Sequence, residues 1–317
     1  MFDGNKTLLK KFFQENKISL LESTKSITAN MKNRGGGISN LELLDKSNVI
    51  DHYFQLHLTF ETVDSMGANF INSCLELIAN EMELLSANYD DFIAEQCSLE
   101  IIMSILSNHL PHCLVEATVS CPIDELNTGE NLSGAQFAKK FIRAVEIAEK
   151  EPFRAVTHNK GIMNGVDAVV IATGNDFRAV EAGVHAYAAR SGQYRSLSNA
   201  FIDGDDFCFE LSLPLAIGTV GGLTKLHPLV KWSMQLLGNP SAKELMQIIC
   251  VAGLAQNFGA LRSLVTSGIQ KGHMKMHLLN ILNQLNATNG QKEKATEYFK
   301  TTAVSHNAVT TFLQNNP

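Results

Sequence analysis

Basic charge, paired cysteines and long apolar runs are all scarce in these 317 residues. Lysine and arginine number 26 against 32 aspartates and glutamates, a formal charge of −6. A nucleic-acid binder normally shows a basic face, so that class is excluded. No run approaches the roughly 18 apolar residues of a membrane span. The stretch MFDGNKTLLKKFFQENK has neither an apolar h-region nor a cleavage site, and does not read as a signal peptide. Six cysteines (Cys74, Cys97, Cys113, Cys121, Cys208 and Cys250) lie scattered, mostly in apolar runs, and none forms C-x-x-C. They read as reduced, buried thiols of a cytoplasmic protein. Internal repeats, low-complexity tracts and the G-x-G-x-x-G of a Rossmann unit are missing as well.

What is there is an ordinary globular composition, 45% apolar and 18% charged, in a chain long enough for two domains or one large one. Residues 6–33 carry leucine and phenylalanine at helical spacing. The glycines of NRGGGI (33–38) break that helix. HYFQLHLTFE (52–61) alternates as a half-buried strand does. In the segment that follows, Asp64 or Ser65 is placed to cap a helix whose first turn contains Gly67. SLEIIMSILS (98–107) fits a strand or a buried helix, and HCLVEATVSCPI (112–123) reads as a strand. This first part alternates helix and strand as an α+β domain does. Beyond it, residues 133–153 form an amphipathic helix ended by Pro152, and 206–222 a strand entering a glycine turn. Helices follow at 226–237, 241–256 and 258–271, with two more amphipathic helices in the last 45 residues.

Four constellations can carry chemistry. RGGG (34–37) with DSMGAN (64–69) can present backbone N–H groups to a phosphate, or can be plain turns and caps. In HNKGIMNG (158–165) with TGND (173–176), Lys160 can stabilise an oxyanion and Asp176 can keep that lysine charged and aimed. The alternative is a surface lysine and an N-cap aspartate. Asn159, Asn164 and Asn175 weigh against it, because amides in an apolar setting must be hydrogen-bonded. In GIQKGHMKMH (268–277), His273 and His277 stand four apart, but Met274 occupies the position where a zinc helix needs glutamate, so no metal is expected. His273 reads either as a general acid or as a solvated histidine. Gln256 and Asn257 interrupt the apolar helix GLAQNFGALRSLVTSG, facing either backbone or a polar ligand, and GTVGGLTKLHP (218–228) is a further glycine turn suited to an anion or to tight packing.

Taken together, RAVTHNKGIMNGVDAVVIATGNDFRAVEAGVHAYAARSG, GTVGGLTKLHPL, GLAQNFGALRSLVTSGIQKGHM and DSMGANFIN resemble the class II, bacterial-type 3-hydroxy-3-methylglutaryl-coenzyme A reductases. The four blocks stand in the family's order over about 220 residues, and a weaker match at 6–45 extends the likeness to nearly the whole chain. The resemblance implies an α+β protein: a large helix-rich catalytic domain, a smaller α+β cofactor domain inserted in it, and a small C-terminal helical flap. The corresponding expectation is a cofactor domain at 1–112, a catalytic domain at 113–267 and a flap at 268–317. It implies reduction of a thioester to an alcohol, interconverting HMG-CoA and mevalonate plus CoA with two hydrides from NAD(H) or NADP(H). A homodimer and a cytoplasmic enzyme are implied, with no membrane and no nucleic acid.

Matching the motifs puts the family's catalytic lysine on Lys160, its aspartate on Asp176, and the histidine that protonates the departing thiolate on His273. Asn164 joins that network. Arg154, Gln256 and Asn257 fall on the substrate end, with Arg154 and Asn257 on its carboxylate. Asp64, Met66, Gly67, Ala68 and Asn69 fall on the nicotinamide site. Two departures stand out. The family's catalytic glutamate, in a P-M-x-x-E-E motif upstream of the cofactor domain, has no counterpart here, so the chain reads as lacking the first segment of its large domain. The alternative function is accordingly a non-catalytic remnant that keeps ligand binding or assembly. Asn40 stands where NADH-using members carry aspartate, which removes the repulsion of a 2′-phosphate and leaves NADPH open.

Overall fold

A computed structural model of the chain describes residues 1–127, 132–224, 226–266 and 268–316, with the backbone path alone for 223 and 269–276. The elements run β1 (Phe2–Asp3), α1 (Lys6–Glu22), α2 (Lys25–Asn33), β2 (Gly37–Asp45), β3 (Phe54–Glu61), α3 (Ala68–Ala87), α4 (Asp90–Ala94), β4 (Ser98–Leu99) and β5 (Leu114–Pro122). They continue with α5 (Gly134–Lys150), α6 (Pro152–Ala172), α7 (Phe177–Ala188), β6 (Ser198–Asp203), β7 (Asp206–Pro214), α8 (Pro228–Leu236), α9 (Ala242–Val265), α10 (Ile269–Gln284), α11 (Asn289–Tyr298) and α12 (His306–Asn315). Helix and strand are thus mixed, as an α+β reading requires. The chain divides into two compact units interleaved in sequence: residues 1–115, 168–187 and 214–248, and residues 116–167, 188–213 and 249–317.

In the first unit, α1 starts where the Asn5 side chain accepts the Thr7 N–H. It buries Leu9, Phe12, Phe13 and Leu20 in a core with Phe2, Leu41, Ile78, Met82 and Phe92. The three glycines of RGGG make the turn from α2 into β2. Gly35 and Gly37 have φ of 88° and 125°, and a Cβ on Gly36 would stand 2.5 Å from the Glu61 carbonyl oxygen. β2 and β3 pair antiparallel from Gly37↔Glu61 to Asp45↔Phe54, with a register shift between Ile38 and Asn40. The cap expected at Asp64 or Ser65 is not there. α3 begins after Gly67, whose left-handed backbone (φ 78°) turns the chain into the helix, while Ser65 Oγ donates to the Thr62 carbonyl. The run 98–107 forms strand only at Ser98–Leu99, which pair with β1.

In the second unit, Ser133 and Gln136 close a capping box at the start of α5. Phe141 of this helix packs edge-on to Phe207 and Phe209 of β7 and tilted against Phe258 of α9. The sheet order is β5–β7–β6, with β6 and β7 antiparallel around Gly204. Pro152 does end α5, and it opens α6 at once, where its missing N–H costs nothing. The segments expected as two helices, 241–256 and 258–271, are for most of their length the single helix α9. Gly253 does not break it, because neighbours crowd that position. Gly253 packs against Ile162, Val166 and Leu211, and a Cβ on Gly165 of α6 would stand 2.4 Å from the Ala252 carbonyl oxygen.

Contrary to the reading of the sequence, α9 is long and apolar enough by length and composition to cross a membrane. Its buried positions, however, include Leu245, Ile249, Leu254, Asn257 and Leu261, spaced along one face as in a core helix. The last 45 residues hold most of α10, then α11 and α12, so the first helix expected there is α10 and the second, over 293–313, is split in two. Leu278, Ile281, Leu282, Ala295, Phe299 and Val309 form a separate small core.

Two neighbouring glycines of α6 should behave oppositely on substitution. Gly161 has nothing within 4 Å of an added Cβ, so Gly161→Ala should stabilise by about 1 kcal/mol through helix propensity. Gly165→Ala meets a backbone carbonyl that cannot step aside and should destabilise by about 2 kcal/mol. Urea unfolding of both variants measures the contrast, and equal shifts would remove the close α6–α9 packing.

Candidate active site

In the second unit, α6 carries a polar sequence on two faces. Arg154 and His158, one turn apart, point the inner face. His158 and Asn159 are 1% and 0% exposed. The amide of Asn159 spans a loop end, its Nδ2 donating to the Arg195 carbonyl (2.7 Å) and its Oδ1 accepting the Leu197 N–H (3.1 Å). His158 Nε2 lies 2.7 Å from Ser198 Oγ, which donates to Asn257 Oδ1 of α9 at 2.9 Å. Ser196 clamps the same strand end, its hydroxyl donating to the Ser198 carbonyl and accepting the Ser198 N–H. Burial, with the Arg154 charge behind it, pushes the His158 imidazole down to about 3, so this histidine is neutral.

Arg154 is half-buried, and burial pushes its guanidinium below the usual value. Among the described residues it has no carboxylate partner. Such a cation is poised for an incoming anion, because its solvation is already partly lost. The outer face of α6 shows Lys160 and Asn164, one turn apart and both exposed. Gln256 of α9 is exposed, and its Cβ would lie 2.9 Å from a Cβ on Gly165. His273 lies in α10, where its side chain is outside the described residues.

In the first unit, Asp176 caps α7. Its Oδ1 accepts the Arg178 and Ala179 N–H groups, and both carboxylate oxygens take the Arg178 guanidinium, at 3.1 and 2.9 Å. These bonds hold its carboxyl below the ordinary aspartate range, the Arg178 side chain foremost. The N-cap that the sequence admitted is therefore present, and its cation is Arg178. Lys160 and Asp176 fall in different units, and each is described within its own. The neighbouring Asn175 donates to Thr173 Oγ1 and accepts the Gly218 N–H (2.8 Å), tying the TGND turn to the glycine turn at 218.

Asp64 is a clip. Its carbonyl accepts the Thr219 and Val220 N–H groups and its Oδ1 accepts the Ala242 N–H at the first turn of α9. It lines two cavities. One of about 470 Å³ includes Thr219, Thr224, Lys231 and Ser241. The other, about 370 Å³, includes Arg34, Gly35, Glu61 and Lys243. Gly218 approaches so closely that a Cβ would stand 2.5 Å from the Met66 nitrogen. Met66, Gly67 and Ala68 are half-buried here, whereas Asn69 is exposed at the start of α3. Asn40 is exposed on β2 beside the register shift. The groups missed by sequence reasoning are His158, Ser198, Arg178, Arg34 and Lys243. His158, Arg34 and Arg178 lie inside stretches already singled out, whereas Ser198 and Lys243 carried no signal there.

The family model for hydroxymethylglutaryl-coenzyme A reductase matches residues 4–278. The chain belongs to the hydroxymethylglutaryl-coenzyme A reductase family. A relative from Archaeoglobus fulgidus, named 3-hydroxy-3-methylglutaryl-coenzyme A reductase, is 36% identical over 89% of this chain and 61% of its own length. A probable reductase of the same name from Borreliella burgdorferi is 35% identical over 84% and 60%. The chain thus spans about 60% of the length of the curated relatives it matches. Among solved structures, the Streptococcus pneumoniae reductase superposes with a TM-score of 0.74 at 35% identity, covering 99% of this chain and 72% of that one. A class II structure from the same organism, bound to NADPH in open conformations, gives 0.71 at 39% identity, covering 81% and 66%. The resemblance carried by the four sequence blocks is thereby borne out at the level of the family.

The neutral, buried His158 makes stability pH-dependent. Unfolding releases an imidazole that titrates near 6.5, whereas the folded one stays unprotonated to about 3. Below pH 6.5 the unfolded state therefore binds the extra proton, and stability falls by up to about 1.4 kcal/mol per pH unit until pH nears 3. Above pH 6.5 the contribution is flat. Urea titrations of wild type and His158→Gln between pH 7.5 and 4.5 should show a shallower acid loss in the variant. Parallel curves would contradict a neutral buried imidazole.

Proposed function

We propose that the chain is a hydroxymethylglutaryl-CoA reductase that interconverts HMG-CoA with mevalonate and CoA, using NAD(P)H. The observation that carries this reading is the half-buried Arg154 guanidinium, without a carboxylate among the described residues and one turn from His158, in the unit where Ser198 links His158 to Asn257. A substrate with a free carboxylate beside a thioester fits such a site: Arg154 and Asn257 take the carboxylate, with Gln256 next to them.

Lys160 then stands at the thioester oxygen. Its ammonium neutralises the alkoxide as it forms, which is where an enzyme gains most. Asp176 orients that lysine. Its present tie to Arg178 is an exposed pair, weak enough to be exchanged, since the Arg178 side chain is 78% exposed. Asn164, on the lysine's own face, completes the network, and His273 gives its proton to the departing CoA thiolate so that it does not re-add. NAD(P)H, when bound, supplies the two hydrides of the four-electron reduction.

Asp64, Met66, Gly67, Ala68, Asn69 and Asn40 belong to the dinucleotide site. Two observations support the fit: the paired cavities that share Asp64, and the cations Arg34, Lys231 and Lys243 along their walls, suited to phosphates. The neutral Asn40 admits NADPH as well as NADH. The division into a cofactor domain at 1–112, a catalytic domain at 113–267 and a flap at 268–317 belongs to the same proposal. So do the homodimer and the cytoplasmic location.

Absorbance at 340 nm with HMG-CoA and NADPH or NADH tests the reading. Lys160→Ala should lower turnover by about 10² to 10³-fold, as loss of an oxyanion partner does. Arg154→Ala should act chiefly on KM. Undiminished turnover in Lys160→Ala would dispose of the proposed chemistry.

A further inference from the structure

We propose that His158 and Ser198 are positioning residues for Asn257: a buried relay of hydrogen bonds, running from α6 through β6 to α9, sets which end of the Asn257 amide meets the substrate's free carboxylate. The proposal rests on the reductase reading of Arg154 and Asn257 and deepens it.

The argument is one of proton counting. The Ser198 hydroxyl has one proton, and it goes to Asn257 Oδ1 at 2.9 Å. The 2.7 Å contact with His158 must then be made by a proton on Nε2, donated to Ser198 Oγ. His158 is thereby fixed as the Nε2–H tautomer, and its Nδ1 is left a buried acceptor without a partner among the described residues. The opposite order, with the asparagine amino group donating to Ser198 and Ser198 to His158, would leave a buried N–H with no acceptor. Orphaned buried donors are rarer than orphaned acceptors.

All three side chains are nearly sealed from water: His158 is 1% exposed, Ser198 4% and Asn257 1%. The Ser198 backbone cannot drift, because Ser196 bonds both its N–H and its carbonyl. With Oδ1 engaged, the Asn257 amino group has no partner among the described residues. It is the donor left for an anion, in the unit that also holds the uncompensated Arg154. An amide turned the other way would present a lone pair to the carboxylate and repel it. The relay removes that choice.

The experiment is calorimetric titration of the chain with HMG-CoA and, separately, with free CoA, which lacks the carboxylate-bearing acyl group. Ser198→Ala should weaken HMG-CoA binding about tenfold and leave CoA binding unchanged, the loss of one orienting hydrogen bond. Ser198→Thr, which keeps the hydroxyl, should restore it. His158→Leu, which removes the ring donor, should give the same selective loss and serves where Ser198→Ala does not fold. A purely structural role would shift both ligands together or neither. An unchanged ratio of the two affinities in Ser198→Ala, with HMG-CoA binding still lost in Arg154→Ala, overturns the relay and leaves the reductase reading standing. Wild type that binds no HMG-CoA overturns both.

Discussion

The close approach of α6 to α9 in the second unit is the constraint on which the candidate substrate site depends. Gly165 lies against the Ala252 carbonyl, and Gly253 against Ile162 and Val166. At those two places a side chain would force the helix backbones apart. Because the helices lie that close, a side chain as short as Ser198 can touch His158 on one and Asn257 on the other. The apolar contacts around it exclude water, so the few polar groups inside must satisfy one another.

The first unit shows the same economy in another form. Asp64 uses its backbone carbonyl and its carboxylate to gather the 219–220 turn and the start of α9 around one point. Asn175 does the same between the TGND turn and Gly218. Neither residue acts as a simple helix cap. Each joins loops distant in sequence, and both cavities open at Asp64. Glycines at 36 and 218 let backbone approach backbone, the geometry an anionic ligand needs.

Local rules sufficed wherever the signal lay within a few residues. RGGG does break α2, the alternation at 52–61 is β3, and Pro152 does separate two helices. They failed where packing decides. The polar pair Gln256 and Asn257 stood where two helices, 241–256 and 258–271, were expected to part, and α9 runs through it with Asn257 buried. Residues 98–107 have the apolar content of a strand, yet the pairing with the chain's first residues stops at Glu100, and an unpaired strand is not stable alone. Asp64 has an ideal capping residue type, and its carboxylate goes to a helix 178 residues away instead.

By itself the sequence determined the family, the chemistry-bearing residue types and their order: a lysine between amides, an arginine ahead of it in the same motif, and glycine turns before helices. Those are properties of short segments, where spacing along one helix or turn fixes what is adjacent. Only the tertiary structure decided how the charges and protons are partnered. Asp176 is bound to Arg178, Arg154 is left without a counter-ion among the described residues, and His158 is neutral through burial and bonded to Ser198. Partnering and desolvation arise from segments tens of residues apart packing together, and no local pattern encodes that distance.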